Sequence, residues 1–289
     1  MIRKLEHVFI LLALLFVSAS FAAAQEAAAE SHYAKLEGAR IHYQSYGKGN
    51  NALVLVHGWG GNLNLWREHI PELSKRNRVI ALDLPGHGLS DKSQTTYSMD
   101  LFAAAIDAVM KDAKVEKAVV VGHSMGTPVA RQFYRKYPQK TLGIVIVDGG
   151  LRPFGDKATR DQFVAAFRGP NYKEAGDQMF AMMSATLSEA DKERIKTSFA
   201  NTPQNVLVSA MDSMNEDSLY GPDKINVPVL AILAKSPFWP ADTEQFLRGL
   251  APDLEFVTWE GVSHFLMMDK PKEFDAAVIA FLNKKALLK

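Results

Sequence analysis

The sequence predicts an α/β fold: a mainly parallel sheet with helices on both faces. Three observations carry this: short apolar runs recur along the chain, stretches with apolar residues every three or four positions separate them, and one long segment lacks strand-like runs. The run 52–56 (Ala-Leu-Val-Leu-Val) ends at His57-Gly58 and suits a strand buried on both faces. Similar runs follow at 78–82, 118–121, 143–147, 229–233 and 254–259. Between them, Leu101, Ala105, Ile106 and Val109 share a helical spacing, as do Val129, Phe133 and Tyr137. Strands alternating with helices imply right-handed crossovers within one sheet. Residues 149–226 break the alternation with helix punctuation. Arg168-Gly169-Pro170 stops one helix, Ser188-Glu-Ala-Asp191 resembles an N-cap with an acid at N3, and Thr202-Pro203 places a proline at a helix start. The expected organisation is therefore a core of 25–148 and 227–289 with a helical insertion at 149–226.

Composition removes several function classes. The chain has 289 residues, 47% hydrophobic and 22% charged, enough for a sizeable core. Lys+Arg is 33 against Asp+Glu 32, which argues against a nucleic-acid binder. With no cysteine, disulfides, Cys-ligated zinc, iron–sulfur clusters, a thiol nucleophile and a lipoprotein anchor are excluded. Neither Gly47-Lys48-Gly49 nor the glycines at 58, 60 and 61 have the spacing of a phosphate loop, and no His/Asp/Glu cluster has metal-ligand spacing. No cofactor or metal is expected.

The N-terminus predicts export. Arg3 and Lys4 precede an apolar run from Val8 to Val17, and Ala22-Ala23-Ala24 supplies a small-residue cleavage site. The apolar stretch is short for a membrane span, so residues 1–24 are expected to be a cleaved signal leaving no stable anchor. A periplasmic or secreted protein follows, with Gln25 to Ser31 as a solvated leader.

Val119-Val-Val-Gly122-His123-Ser124-Met125-Gly126 is a strand, a Gly-x-Ser-x-Gly and a helix start. A sharp strand-to-helix turn exposes the serine hydroxyl, and glycines two residues either side remove Cβ atoms that would clash. Ser124 is the predicted nucleophile.

With His57-Gly58-Trp59-Gly60-Gly61, Asp83-Leu-Pro-Gly-His-Gly-Leu-Ser90 and Gly261-Val-Ser-His264-Phe265, this motif makes the sequence resemble the α/β-hydrolase fold family from Lys35 to Phe281. The resemblance implies an eight-stranded sheet and assigns the inserted helices to a cap over the active site. It also implies that His264, which follows a late strand with a loop between, is the base, and that Asp83 belongs to a structural turn. Backbone N–H groups of Met125 and Trp59 are the implied oxyanion donors. The Trp59 indole is expected either to wall the acyl site or to join the core.

The acid departs from the family pattern. Most relatives end the strand equivalent to 229–233 with Gly-x-x-Asp-Pro, whereas this chain reads Ala234-Lys235-Ser236-Pro237-Phe238-Trp239-Pro240. Two carboxylates remain. Asp148 follows the strand beside the nucleophile strand and is favoured, because a strand end is a rigid support. Asp242, two residues beyond Pro240, is the alternative, though its position suits the start of a helix.

Methionines and phenylalanines in the insertion, together with Phe238, Trp239 and Phe265, suggest an apolar tunnel and a small, neutral or apolar acyl substrate. The expected activity is hydrolysis of carboxylic esters, thioesters or lactones through an acyl-enzyme. Alternatives are C–C bond or amide hydrolysis, acyl transfer or perhydrolysis with the same triad, or a non-catalytic binding protein on a degenerate hydrolase scaffold. Serine at 124 argues against dehalogenase and epoxide hydrolase chemistry, for which such relatives carry an aspartate there.

Overall fold

A computed structural model describes residues 31–93 and 96–288; the expected signal at 1–24 lies outside them. The chain opens with the hairpin strands β1 (Ser31–Leu36) and β2 (Ala39–Tyr46), followed by β3 (Asn51–Val56), α1 (Ile70–Leu73), β4 (Arg78–Leu82) and α2 (Met99–Asp112). Next come β5 (Lys117–His123), α3 (Gly126–Lys136) and β6 (Thr141–Val147). Four helices then run before the sheet resumes: α4 (Lys157–Arg168), α5 (Tyr172–Met183), α6 (Glu189–Ala200) and α7 (Gln204–Met214). The chain closes with β7 (Val229–Ala234), α8 (Thr243–Leu250), β8 (Leu254–Trp259), α9 (Leu266–Asp269) and α10 (Pro271–Lys284).

The eight strands form one sheet in the order β1-β2-β4-β3-β5-β6-β7-β8. Strand β2 runs antiparallel to β1 and β4, and every other pairing is parallel. The central strands are buried almost end to end, as their unbroken Val/Ile/Leu runs require when helices cover both faces. Edge strand β8 is only partly buried. Ser31 does not belong to a free leader: it starts β1, pairs with Gln44, and its Oγ lies 3.1 Å from His42 Nε2.

The punctuation between β6 and β7 matches the observed caps. α4 ends at Arg168. The Ser188 hydroxyl accepts from the Asp191 amide, and Pro203 occupies the N-cap of α7. These four helices dock on the sheet's loops through specific bonds. The Trp59 indole donates to the Leu207 carbonyl at 2.8 Å, Ser198 Oγ to the Gly60 carbonyl at 3.1 Å, and the Tyr97 amide to Ser209 Oγ at 2.8 Å. Around Trp59 stand Phe163, Phe167, Phe180 and Phe199, with ring centroids 4.7–6.5 Å from the indole.

Asp83 forms the structural turn expected of it. It is buried, and accepts from the Leu63 amide at 2.7 Å, the Leu89 amide at 2.9 Å and His42 Nδ1 at 2.8 Å. Burial alone would raise its pKa, but the His42 bond and the two amides hold it below the ordinary carboxylate value. Asp83→Ala leaves three donors stranded, so a loss of about 3–5 kcal/mol is expected in urea unfolding. A loss under about 1 kcal/mol would contradict this account.

Candidate active site

Strands β5 and β6 end side by side, with His123 opposite Val147 in the register. The next residue on each strand, Ser124 on one and Asp148 on the other, has a left-handed backbone, with φ of 52° and 42°. Such conformations cost about 1–3 kcal/mol for non-glycine residues and persist only where surroundings enforce them. Here the Ser124 amide donates to the Val147 carbonyl at 3.0 Å and the Asp148 amide to the Ile232 carbonyl at 2.9 Å. Thr127 completes the first turn, its amide bonding the Ser124 carbonyl and its Oγ1 the Gly122 carbonyl. A Cβ on Gly122 would overlap the Gly126 carbonyl, and one on Gly126 would stand 2.6 Å from the Val56 carbonyl oxygen. Both glycines of the motif are therefore sterically required. The hydroxyl-bearing residue sits at the N-terminus of α3, where unpaired N–H groups and the helix dipole favour negative charge.

The loop after β3 closes over this turn. A Cβ on Gly58 would meet Ser124 Cβ at 3.1 Å. The buried His57 ring fixes the Gly58–Trp59 peptide. The Leu84 amide donates to its Nε2 at 3.0 Å, so Nδ1 carries the proton and donates to the Gly58 carbonyl at 2.7 Å. That carbonyl also accepts from the Gly61 amide at 3.0 Å. With the C=O anchored on one side, planarity turns the Trp59 N–H to the other.

His264 follows β8 and is held at three points. Its Nδ1 lies 2.7 Å from Asp148 Oδ2, its carbonyl accepts from His123 Nε2 at 2.9 Å, and its amide donates to the Met183 carbonyl at the end of α5 at 3.0 Å. The other carboxylate oxygen, Asp148 Oδ1, accepts from the Ala234 amide at 2.7 Å and from Trp239 Nε1 at 3.0 Å. Both carboxylate oxygens of Asp148 are thus engaged.

Ser124, Met125, His264 and Asp148 are gathered at the C-terminal ends of β5, β6 and β8, beside the Gly58–Trp59 loop. Asp242 is elsewhere. It stands at the start of α8, exposed, and its carboxylate pairs with Arg152 at 2.6 and 3.0 Å. The Trp59 ring is buried among the phenylalanines, Phe265 is buried against His123 and His264, and Phe238 is 61% exposed. Trp239 is half-buried with its N–H on Asp148. That contact, and the particular carbonyls that His57 and His123 hold, those of Gly58 and His264, were not expected from the sequence. The histidines' places inside the Gly-rich and elbow motifs were the available signal.

Residues 51–271 match the family model described as alpha/beta hydrolase fold. The chain belongs to the α/β-hydrolase fold family. It is similar over most of its length to a 2-hydroxy-6-oxononadienedioate/2-hydroxy-6-oxononatrienedioate hydrolase of Paraburkholderia phymatum, at 27% identity covering 90% of this chain and 97% of the relative. It is also similar to a dihydrolipoyllysine-residue acetyltransferase component of the acetoin cleaving system of Pseudomonas putida, 28% identical over 82% of this chain; that match spans 65% of the relative. The corresponding match in Cupriavidus necator spans 42% of its relative. Among solved structures, an N-acyl homoserine lactone degrading enzyme has 27% identity and a TM-score of 0.73, covering 86% of this chain and all of the other. A thermophilic esterase has 26% identity and a TM-score of 0.72, covering 89% and 99%.

Three buried imidazoles around the site are kept neutral. Burial pushes His57 below the ordinary 6.5 against the pull of Asp83. Burial, with His57 alongside, brings His87 down to about 3. Burial and the neighbouring His264 push His123 well below the ordinary value. Unfolded, each takes up a proton near pH 6.5 that the native state refuses, so the stability they permit is complete above that pH and drains away below it. The urea midpoint is expected to be flat between pH 7 and 8 and to fall steadily from about 6.5 toward 5, before carboxylates titrate. In His87→Leu the slope should flatten by about one proton; an unchanged slope would refute the assignment.

Proposed function

We propose that this enzyme hydrolyses neutral, apolar carboxylic esters, thioesters or lactones through an acyl-enzyme on Ser124. The observation that carries the reading is the 2.7 Å contact between Asp148 and His264 at the strand ends that present Ser124. His264, held as the Nδ1–H tautomer by Asp148, takes the hydroxyl proton as Ser124 attacks the carbonyl carbon. The N–H groups of Met125 and Trp59 receive the oxyanion. His264 returns the proton to the leaving alcohol or thiol, then activates the water that releases the acid and restores Ser124. The esterase and lactone-degrading neighbours support the substrate class. The aromatic surroundings, Phe180 and Phe265 included, suit an apolar acyl group.

The P. phymatum relative favours a second reading, C–C bond hydrolysis with the same side chains. A panel of p-nitrophenyl esters of increasing acyl length, lactones and vinylogous diketones separates the two. Export remains part of the proposal, with cleavage after Ala24; N-terminal sequencing of protein recovered outside the cytoplasm tests it.

Ser124→Ala is expected to lower kcat at least ~10³-fold and to abolish fluorophosphonate labelling. Asp148→Asn should lower kcat by about 10³ to 10⁴, since the wrong imidazole tautomer is then admitted, while Asp242→Asn stays within about threefold of the parent. Equal activity of all three variants would end this reading.

A further inference from the structure

We infer that Trp239 is a positioning residue: its indole N–H holds the Asp148 carboxylate in the plane from which it orients His264. The inference rests on the reading of Asp148 as the acid. The two oxygens of Asp148 divide their duties. Oδ2 meets His264 Nδ1, and Oδ1 receives the Ala234 amide and Trp239 Nε1. A carboxylate on a two-torsion side chain can rotate about its last bond and swap its oxygens. Two donors converging on Oδ1 from different directions oppose that rotation. The Ala234 amide is main chain at the end of β7 and varies little with sequence. The indole is the side-chain contribution, and it comes from a loop that is braced to deliver it.

The bracing is visible on both sides of Trp239. Its own amide donates to the Ser236 carbonyl at 3.2 Å, and the Phe238 amide to Ser236 Oγ at 3.2 Å. After it, Thr243 Oγ1 donates to the Pro240 carbonyl at 2.6 Å, and Arg152 clamps Asp242 while lying over the Phe246 ring. The outer edge of the indole closes against Gly150, where an added Cβ would stand 3.5 Å from the ring. Phe238 packs against it edge-on at 5.0 Å. Asp242 is therefore one of several braces on the loop that carries Trp239.

Trp239→Phe keeps a ring and removes the donor. Trp239→His restores one, because imidazole Nε2 superposes on indole Nε1 in the five-membered ring. Steady-state hydrolysis of p-nitrophenyl acetate, with thermal melts of each variant, is the experiment. Trp239→Phe should lower kcat on the order of tenfold, the worth of one hydrogen bond to a charged group, and leave KM within about twofold. Trp239→His should regain most of the loss. In an Asp148→Asn background, Trp239→Phe should cost nothing more, because a residue acting through another adds nothing once that other is gone. A raised KM with unchanged kcat would make Trp239 a substrate wall and overturn the inference, as would a full additional loss in the Asp148→Asn background. Should Asp148→Asn itself leave kcat intact, the acid assignment falls and this inference with it, a result distinct from failure of the tryptophan variants alone.

Discussion

The constraint on which the site depends is that two adjacent parallel strands stop at the same level, each in a residue with a left-handed backbone. Ser124 and Asp148 occupy those positions one strand apart, and the main-chain bonds that fix them belong to the sheet itself: Ser124 to Val147, Asp148 to Ile232. The chemical groups are thereby placed by the most buried part of the molecule, at a cost in backbone strain that the sheet's packing offsets. Nothing in the loops has to find the spacing between hydroxyl and carboxylate. Only the imidazole comes from a loop, and that loop is held at its side chain, its carbonyl and its amide by three different elements.

Much of this was legible in the sequence because burial on both faces leaves unbroken apolar runs. The strands beginning at Asn51, Arg78, Lys117, Thr141, Val229 and Leu254 coincide with such runs to within two residues. The half-exposed edge is harder to read: β1 alternates polar and apolar positions weakly, and Ser31, which pairs with Gln44, carries no strand signal of its own. Punctuation served better in the inserted helices, where Ser188 and Pro203 stand at helix starts for the steric and hydrogen-bonding reasons that favour them there.

The ambiguity between Asp148 and Asp242 shows where sequence reasoning stops. Both lie close to strand ends in the chain, and only the path of residues 235–242 separates them. That path sends Asp242 outward to Arg152 and brings Trp239 inward to the carboxylate of the neighbouring strand. Loop paths depend on contacts such as Arg152 with Asp242, ninety positions apart, which no local pattern encodes. For the same reason, the locked tautomers of His57 and His123 could not be inferred from motif membership alone.

The bond from the His264 amide to the Met183 carbonyl joins the last turn of α5 to the main chain of the imidazole itself. A rigid swing of the four inserted helices away from the sheet would sever that link and leave His264 held by Asp148 and His123 alone.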